Sequence, residues 1–201
     1  MFTYPDLVLS QKALPITKIE TRHQKIAEDM LETMYATPGI GLAANQIGLL
    51  ERMVVIDTEF DYEEYESGAP VPEGAELIGE HLIFMKKPRI FFNPEIILRE
   101  GKTSTKEGCL SVPEFQAEVE RSEKVKLRFQ NIDGKSEELS ADGLLAICIQ
   151  HELDHLDGKL FIDRLSPLKK EMARKKLIKE RKEFDAMMRD ATELTPAKKR
   201  R

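Results

Sequence analysis

The chain has 201 residues and a mass of 23.0 kDa, with 41% hydrophobic residues, 33% charged residues and a formal net charge of −5. This composition is typical of a globular domain, and two cysteines are too few for a disulfide-stapled scaffold. No apolar run approaches the roughly 20 residues that cross a bilayer, and the N-terminus lacks the pattern of a signal peptide. We therefore expect a cytoplasmic protein without membrane contact, and we take it to be a monomer.

The first half of the chain predicts one helix and then mainly strands. Residues Ile26, Met30 and Met34 stand four apart, which is the apolar stripe of a helix that spans residues 20–37 and stops at Pro38. The segments that follow are a small, flexible stretch at residues 39–48, strands at 52–57, 81–87 and 90–97, and an acidic loop rich in glycine and proline at 58–80.

The second half predicts a hairpin and two helices. Residues 124–130 alternate between polar and apolar, and the turn at 131–134 leads into a strand at 135–141. Asp142 is placed to cap a helix whose first half is apolar nearly all round, which predicts a buried helix that ends at Gly158. A long basic helix is expected to start at Ser166-Pro167 and to run to about residue 190.

These elements predict an α+β fold. We expect antiparallel β-sheets packed around the buried central helix, together with the N-terminal helix and the long C-terminal helix.

Charge is distributed unevenly along the chain. Residues 169–201 hold 13 basic and 6 acidic residues, a net charge of +7, whereas residues 1–168 carry a net charge of −12. A basic segment of this kind is either a solvated helix or a contact for a polyanion such as nucleic acid.

The central helix carries the most informative motif, His151-Glu152-Leu153-Asp154-His155, which matches H-E-x-x-H. Residues four apart lie on one face of a helix, so both imidazoles can bind one metal ion. Glu152 lies about 100° around the helix, where it can reach a metal-bound water but is not a natural ligand. Two unrelated surface histidines are the alternative, and burial of the helix argues against it.

A catalytic metal site usually has a third protein ligand. Cys148 shares a face with both histidines, but it lies about 7.5 Å along the helix axis from the level of the ion, too far for a cysteine side chain. Cys109 is therefore favoured, because Gly108 beside it permits close approach of another segment. Such a donor set suits Zn²⁺, Fe²⁺, Co²⁺ or Ni²⁺, and spacing does not choose among them.

Three segments together resemble one family, the peptide deformylases, and most closely the bacterial type with a helical C-terminus. Residues 39–46 resemble its motif G-x-G-x-A-A-x-Q, residues 107–111 match E-G-C-L-S, and residues 150–155 match Q-H-E-x-D-H. The resemblance implies hydrolysis of the N-formyl group of formyl-methionyl nascent chains with release of formate. It also implies Fe²⁺ as the physiological metal, with Zn²⁺ or Ni²⁺ as substitutes.

The resemblance also implies a role for individual residues. The metal ligands would be Cys109, His151 and His155, and Glu152 would be the general base and acid. The Gln46 side chain and the Leu110 backbone N–H would stabilise the oxyanion. Glu107, paired with Arg121, would support the site from behind the ligands. The residues expected to bind substrate are Ile40, Gly41, Leu144, Ile147 and Cys148.

The resemblance further implies that residues 1–168 form the metal-dependent catalytic domain, followed by a basic helix and tail at 169–201 that docks on the ribosome near the tunnel exit. Two features depart from the family pattern. Residues 58–89 form a long acidic insertion, and Gln116 stands where a basic residue is expected at the substrate rim.

Two other functions compete with this one. An H-E-x-x-H protease would more often use a histidine or glutamate as third ligand and would cleave internal peptide bonds. A non-catalytic ribosome-binding protein with a relic metal site is the second, and the presence of both Glu152 and Gln46 argues against it.

Overall fold

The structure, a computed structural model, describes residues 1–193, with side chains to residue 189. Its elements form an α+β fold built on antiparallel sheets, as the sequence predicts. The helices are α1 (Thr21–Ala36), α2 (Gly143–Leu156) and α3 (Pro167–Glu193), and short 3-10 helices span Leu7–Ser10, Ala44–Ile47 and Phe161–Arg164. The strands are β1 (Gly41–Ala43), β2 (Met53–Ile56), β3 (Asp61–Glu64), β4 (Ala75–Ile78), β5 (His81–Phe84), β6 (Arg89–Glu100), β7 (Thr103–Cys109), β8 (Val112–Arg121), β9 (Lys124–Gln130) and β10 (Ser136–Asp142).

The main sheet has five strands in the order β1-β2-β6-β9-β10, all antiparallel. The predicted strands at 52–57, 90–97, 124–130 and 135–141 all lie in it, with small shifts at their ends. Helix α2 packs on this sheet, where Ile149 and Leu153 join a core cluster with Val54 and Leu127. Helix α1 packs on it through the buried Met30 and Met34 of the predicted stripe.

The segment predicted as a loop at residues 58–80 contains two strands. Strands β3 and β4 flank β5 in a separate three-stranded sheet. Ile78 and Ile83 of this sheet are buried in the hydrophobic cluster that also contains Met30 and Met34 of α1. The loop prediction is wrong because β3 is Asp-Tyr-Glu-Glu and exposed throughout, so it lacks apolar alternation. Acidic residues are poor strand formers, but at an edge they discourage pairing with other chains.

The hairpin β7–β8 was not predicted at all. Strand β7 is Thr-Ser-Thr-Lys-Glu-Gly-Cys and has no large apolar side chain, so no alternation of apolar and polar residues marks it as a strand in the sequence. Its partner β8 supplies the buried Val112 and Val119 to a third core cluster. This hairpin places Cys109 at the end of β7, beside its tight turn.

At the start of α2 the predicted N-cap position is confirmed, but the predicted burial needs correction. Asp142 occupies the N-cap position but makes no side-chain capping hydrogen bond. The first half of the helix is not buried all round, because Leu144 in its first turn is 53% exposed and lines an open cleft. The helix ends at Leu156, two residues before Gly158, and a Cβ at Gly158 would lie 2.6 Å from the Ser10 carbonyl oxygen.

Helix α3 starts at Pro167, as predicted, and extends to Glu193. Ala173 and Leu177 are buried in the third core cluster, and Arg181 bonds Asp6 near the N-terminus. The division of the chain at residue 168 stays a prediction, and the basic residues 198–201 of the expected tail lie outside the described residues. Among the helices that the structure describes, none combines the length and apolarity needed to cross a bilayer.

Candidate active site

Helix α2 holds His151 and His155 one turn apart, with ring centroids separated by 5.0 Å. The hairpin β7–β8 brings Cys109 against them, and its Sγ lies 3.1 Å from His155 Nε2. The candidate ligand atoms of all three residues lie within 4.8 Å of one another. Cys148 is not part of this cluster, and its thiol donates to the Ile40 carbonyl at 3.5 Å.

The two cysteines of the site differ in ionisation. Burial raises the pKa of the Cys109 thiol, but the nearby His155 and His151 rings outweigh burial and lower it to about 5. Burial and the nearby Glu152 carboxylate raise the pKa of Cys148 well above its ordinary value. At neutral pH Cys109 is therefore a thiolate and Cys148 a neutral thiol, and only a thiolate is a good metal ligand.

Glu152 is buried, with 4% of its surface exposed, and its Oε2 has no hydrogen-bond partner. Burial raises the pKa of this carboxyl group. Its other oxygen lies against Gly41 of β1, where an added Cβ would stand 2.5 Å from Glu152 Oε1 and 2.7 Å from Cys148 Sγ. Glycine at position 41 is therefore required by the close approach of the glutamate, independently of any contact with substrate.

The structure brings Glu107 and Arg121 together as a bidentate ion pair with distances of 2.7 Å and 2.8 Å. Glu107 Oε2 also lies 2.9 Å from His151 Nδ1. This contact orients the imidazole and leaves Nε2 as the nitrogen that can bind a metal ion.

Gln46 projects from the 3-10 helix after β1. Its Oε1 accepts a hydrogen bond from the Ala43 backbone N–H at 2.8 Å, which fixes the orientation of the amide. Its Nε2 consequently points toward the site, 3.2 Å from Ser111 Oγ and 3.8 Å from Cys109 Sγ. Leu110, beside Cys109, lines the same cleft.

A cleft of about 850 Å³ opens over these residues. Gln116 lies at its rim with its side chain over Gly108, 3.3 Å from where a Cβ would stand. The predicted substrate-binding residues all line the cleft: Ile40, Gly41, Leu144, Ile147 and Cys148.

Sequence reasoning missed residues that line the cleft and one that lies behind the metal cluster. Thr105 and Phe115 line the cleft from β7 and β8, a hairpin that was not predicted because β7 has no large apolar side chain. Asp154 was noted only as a letter of the third motif, yet its side chain is 8% exposed and binds Arg121 and Arg164. A buried aspartate inside a helix that already carries a motif is a signal for such a role.

A Cys/His/His cluster beside a buried, unpartnered glutamate in an open cleft is characteristic of a hydrolytic enzyme. Comparison with known proteins narrows this class. A sequence model of the polypeptide deformylase family matches residues 1–171. Peptide deformylase of Bartonella tribocorum is 44% identical over 184 residues, covering 91% of this chain and 93% of the relative.

One further sequence relative and one solved structure support the same family. The Novosphingobium aromaticivorans peptide deformylase is 48% identical over 179 residues, covering 89% of this chain and 94% of its own. The crystal structure of a peptide deformylase from Legionella pneumophila superposes with a TM-score of 0.71 at 39% identity, covering 90% of this chain and 94% of that one. The chain therefore belongs to the peptide deformylase family, and its activity is removal of the formyl group from nascent peptides.

Proposed function

We propose that this chain removes the formyl group from formyl-methionyl nascent polypeptides by metal-dependent hydrolysis, releasing formate. The observation that carries the proposal is the clustering of Cys109, His151 and His155 at a cleft that the buried Glu152 also lines. Two imidazoles and a thiolate fit a divalent transition metal, and we propose Fe²⁺ as the ion used, with Zn²⁺ or Ni²⁺ able to replace it. A bound ion would lower the pKa of a water molecule enough to supply a nucleophile near neutral pH.

We assign the proton transfers to Glu152. Its buried position excludes bulk water, and its raised pKa suits a group that both accepts and returns a proton. It would take a proton from the attacking water and deliver it to the departing amino nitrogen, which leaves as a free N-terminus.

Gln46 and Leu110 are assigned to the developing negative charge on the formyl oxygen. The Gln46 amide is held by Ala43, so its Nε2 donor is oriented before substrate arrives. The backbone N–H of Leu110 would be the second donor. One pre-oriented donor of this kind is worth about 3 kcal/mol of barrier.

The methionine side chain would occupy the apolar part of the cleft. Ile40, Leu144, Ile147 and Cys148 offer apolar surface there, and the neutral thiol of Cys148 adds no charge to it. Gly41 would present its backbone to the substrate peptide.

Formate release from a formyl-methionyl tripeptide, measured anaerobically with Fe²⁺-loaded protein, tests the proposal. We expect turnover in the wild type and at least a 100-fold loss in Glu152→Gln, which keeps the shape of the side chain but cannot take up a proton. Metal content measured on both proteins separates loss of chemistry from loss of the ion. A metal-replete wild type that releases no formate, or that instead cleaves internal bonds of casein, would overturn the proposal.

We further propose a cytoplasmic monomer that docks on the ribosome near the tunnel exit through residues 169–201. Lys175 and Lys179 of α3 are 76% and 77% exposed and suit contact with phosphate groups. The double substitution Lys175→Glu/Lys179→Glu should weaken co-pelleting with ribosomes, and rising salt should weaken that of the wild type. Lys102→Glu, at an equally exposed lysine immediately before β7, is the control. Equal pelleting of both variants would refute the docking proposal.

A further inference from the structure

A line of ion pairs leads away from the metal site toward the segment that precedes α3. It starts at His151 Nδ1, which contacts Glu107 Oε2. The Glu107 carboxylate accepts hydrogen bonds from Nε and Nη2 of Arg121. Arg121 Nη1 then donates to Asp154 Oδ2. Asp154 in turn binds Arg164, whose Nε and Nη2 donate to the two carboxylate oxygens at 2.5 Å and 2.6 Å.

Most of the side chains that form this line are buried. The side chains of Arg121, Glu107 and Asp154 are 1%, 5% and 8% exposed, and that of Arg164 is 38% exposed. The four charges alternate in sign, so each buried carboxylate lies between two cationic or donating groups. A buried charge that loses a partner is costly, and the neighbouring groups move to compensate.

Arg164 is the outermost member, and it comes from a different part of the fold. It ends the 3-10 helix Phe161–Arg164 that leads into α3. Its neighbour Asp163 accepts hydrogen bonds from the Leu160 backbone N–H at 2.9 Å and from Arg174 of α3 at 2.8 Å. The first turns of α3 thus fix the backbone that presents Arg164 to Asp154.

We propose that Arg164 is a positioning residue for the metal ligand His151, acting through Asp154, Arg121 and Glu107. This inference rests on the proposed metal site and extends it to a residue outside the three motifs. Arg164 supplies two of the three hydrogen bonds that the Asp154 carboxylate receives. Without it, Asp154 keeps one bond, and the Arg121–Glu107 pair that orients the His151 ring loses its outer anchor.

The expected effect is smaller than that of a direct contact. Substituting a group that bonds a metal ligand typically weakens metal binding 10- to 100-fold. Arg164 lies four contacts away from His151, so we expect Arg164→Met to accelerate metal release by only about 3- to 10-fold.

The matched control is Arg52→Met. Arg52 also pairs with an aspartate of the same helix end, Asp157, at 2.9 Å, and its side chain is 17% exposed, but it makes no contact with the line. Wild type, Arg164→Met and Arg52→Met are each loaded with Co²⁺, and release of the ion to an excess of chelator is followed. The visible absorption of the bound Co²⁺ reports ligand geometry, which a general loss of stability leaves unchanged.

We expect faster Co²⁺ release and an altered absorption spectrum in Arg164→Met only, with Arg164→Lys intermediate because an ammonium cannot grip both carboxylate oxygens at once. In an Asp154→Asn background, Arg164→Met should add little. Release and spectrum equal to those of Arg52→Met would overturn the inference while leaving the metal site intact. A wild type that takes up no Co²⁺ would overturn the metal site and this inference with it.

Discussion

Substituting Gly41 by alanine would place a methyl group against the side chain proposed to transfer protons. The new Cβ would stand 2.5 Å from Glu152 Oε1 and 2.7 Å from Cys148 Sγ, well below the 3.4 Å at which ordinary contact begins. The backbone of Gly41 does not adopt a positive φ, so the conformation itself accommodates alanine and the penalty comes from these close contacts.

The displacement can be worked out from these distances. To restore ordinary contact, the Glu152 carboxylate must retreat by roughly 1 Å, and a misplacement of that size costs about 100-fold in rate. The same methyl group also meets the Cys148 sulfur at 2.7 Å, so moving the thiol alone does not relieve the contact with Glu152. We therefore expect Gly41→Ala to lower kcat for formate release about 100-fold.

The assay measures kcat and KM for a formyl-methionyl peptide, with metal content determined on the same sample. None of the three proposed metal ligands is among the three atoms nearest the new Cβ, so metal content should not change. The matched control is Gly134→Ala in the turn between β9 and β10, where no atom lies within 4 Å but φ is +77°. It should cost roughly 1–2 kcal/mol of stability and leave kcat unchanged.

A kcat within twofold of the wild type in metal-replete Gly41→Ala would refute the reasoning. It would show that the Glu152 carboxylate tolerates displacement, and the assignment of the proton transfers to that side chain would then lose its geometric basis.

Three further predictions follow from contacts in the structure. Glu107→Gln should weaken metal binding about 10- to 100-fold, measured by chelator competition, because it removes the charge that orients His151. Phe92→Ala should cost about 3–5 kcal/mol in urea unfolding, because this side chain is fully buried. Burial alone would raise the pKa of Asp163, but hydrogen bonds from the Leu160 N–H and Lys170 lower it. The ionised Asp163 carboxylate therefore stabilises the fold at neutral pH, and this stabilisation is lost as the pH falls through the lowered pKa. Asp163→Asn should therefore destabilise the protein at pH 7 and less at pH 3, where protonation of the unfolded chain has already begun to remove the effect.

Each of these has an outcome that contradicts it. Unchanged metal affinity in Glu107→Gln would mean that the His151 ring is oriented without that carboxylate. A loss below 1 kcal/mol in Phe92→Ala would mean that the site collapses around the missing ring. An equal effect of Asp163→Asn at both pH values would show that the carboxylate charge contributes nothing.

Local patterns in the sequence were sufficient to locate those elements in which apolar residues alternate with polar ones or recur once per helical turn. Strand β9 was located to the residue, because Lys-Val-Lys-Leu-Arg-Phe-Gln alternates without interruption. The His151 and His155 pair followed from helical spacing alone, because four residues make about one turn.

Patterns of this kind carry no information where the partner is distant in the chain. The hairpin β7–β8 and the edge strand β3 are held by cross-strand pairing and by burial against other elements, so their own residues look like loop. Leu144 was expected in the core because its neighbours are apolar, but only the position of α2 relative to the sheet decides that its first turn is exposed.

The sequence by itself thus determined the family, the order of the main elements and the residues of the Cys/His/His cluster, since each depends on short motifs or on a local period. Only the tertiary structure decided that Glu152 lies against Gly41 and that Asp154 connects Arg121 to Arg164. The physical reason is that these contacts join segments far apart in the chain, and packing in three dimensions, not local spacing, determines which side chains share a buried space.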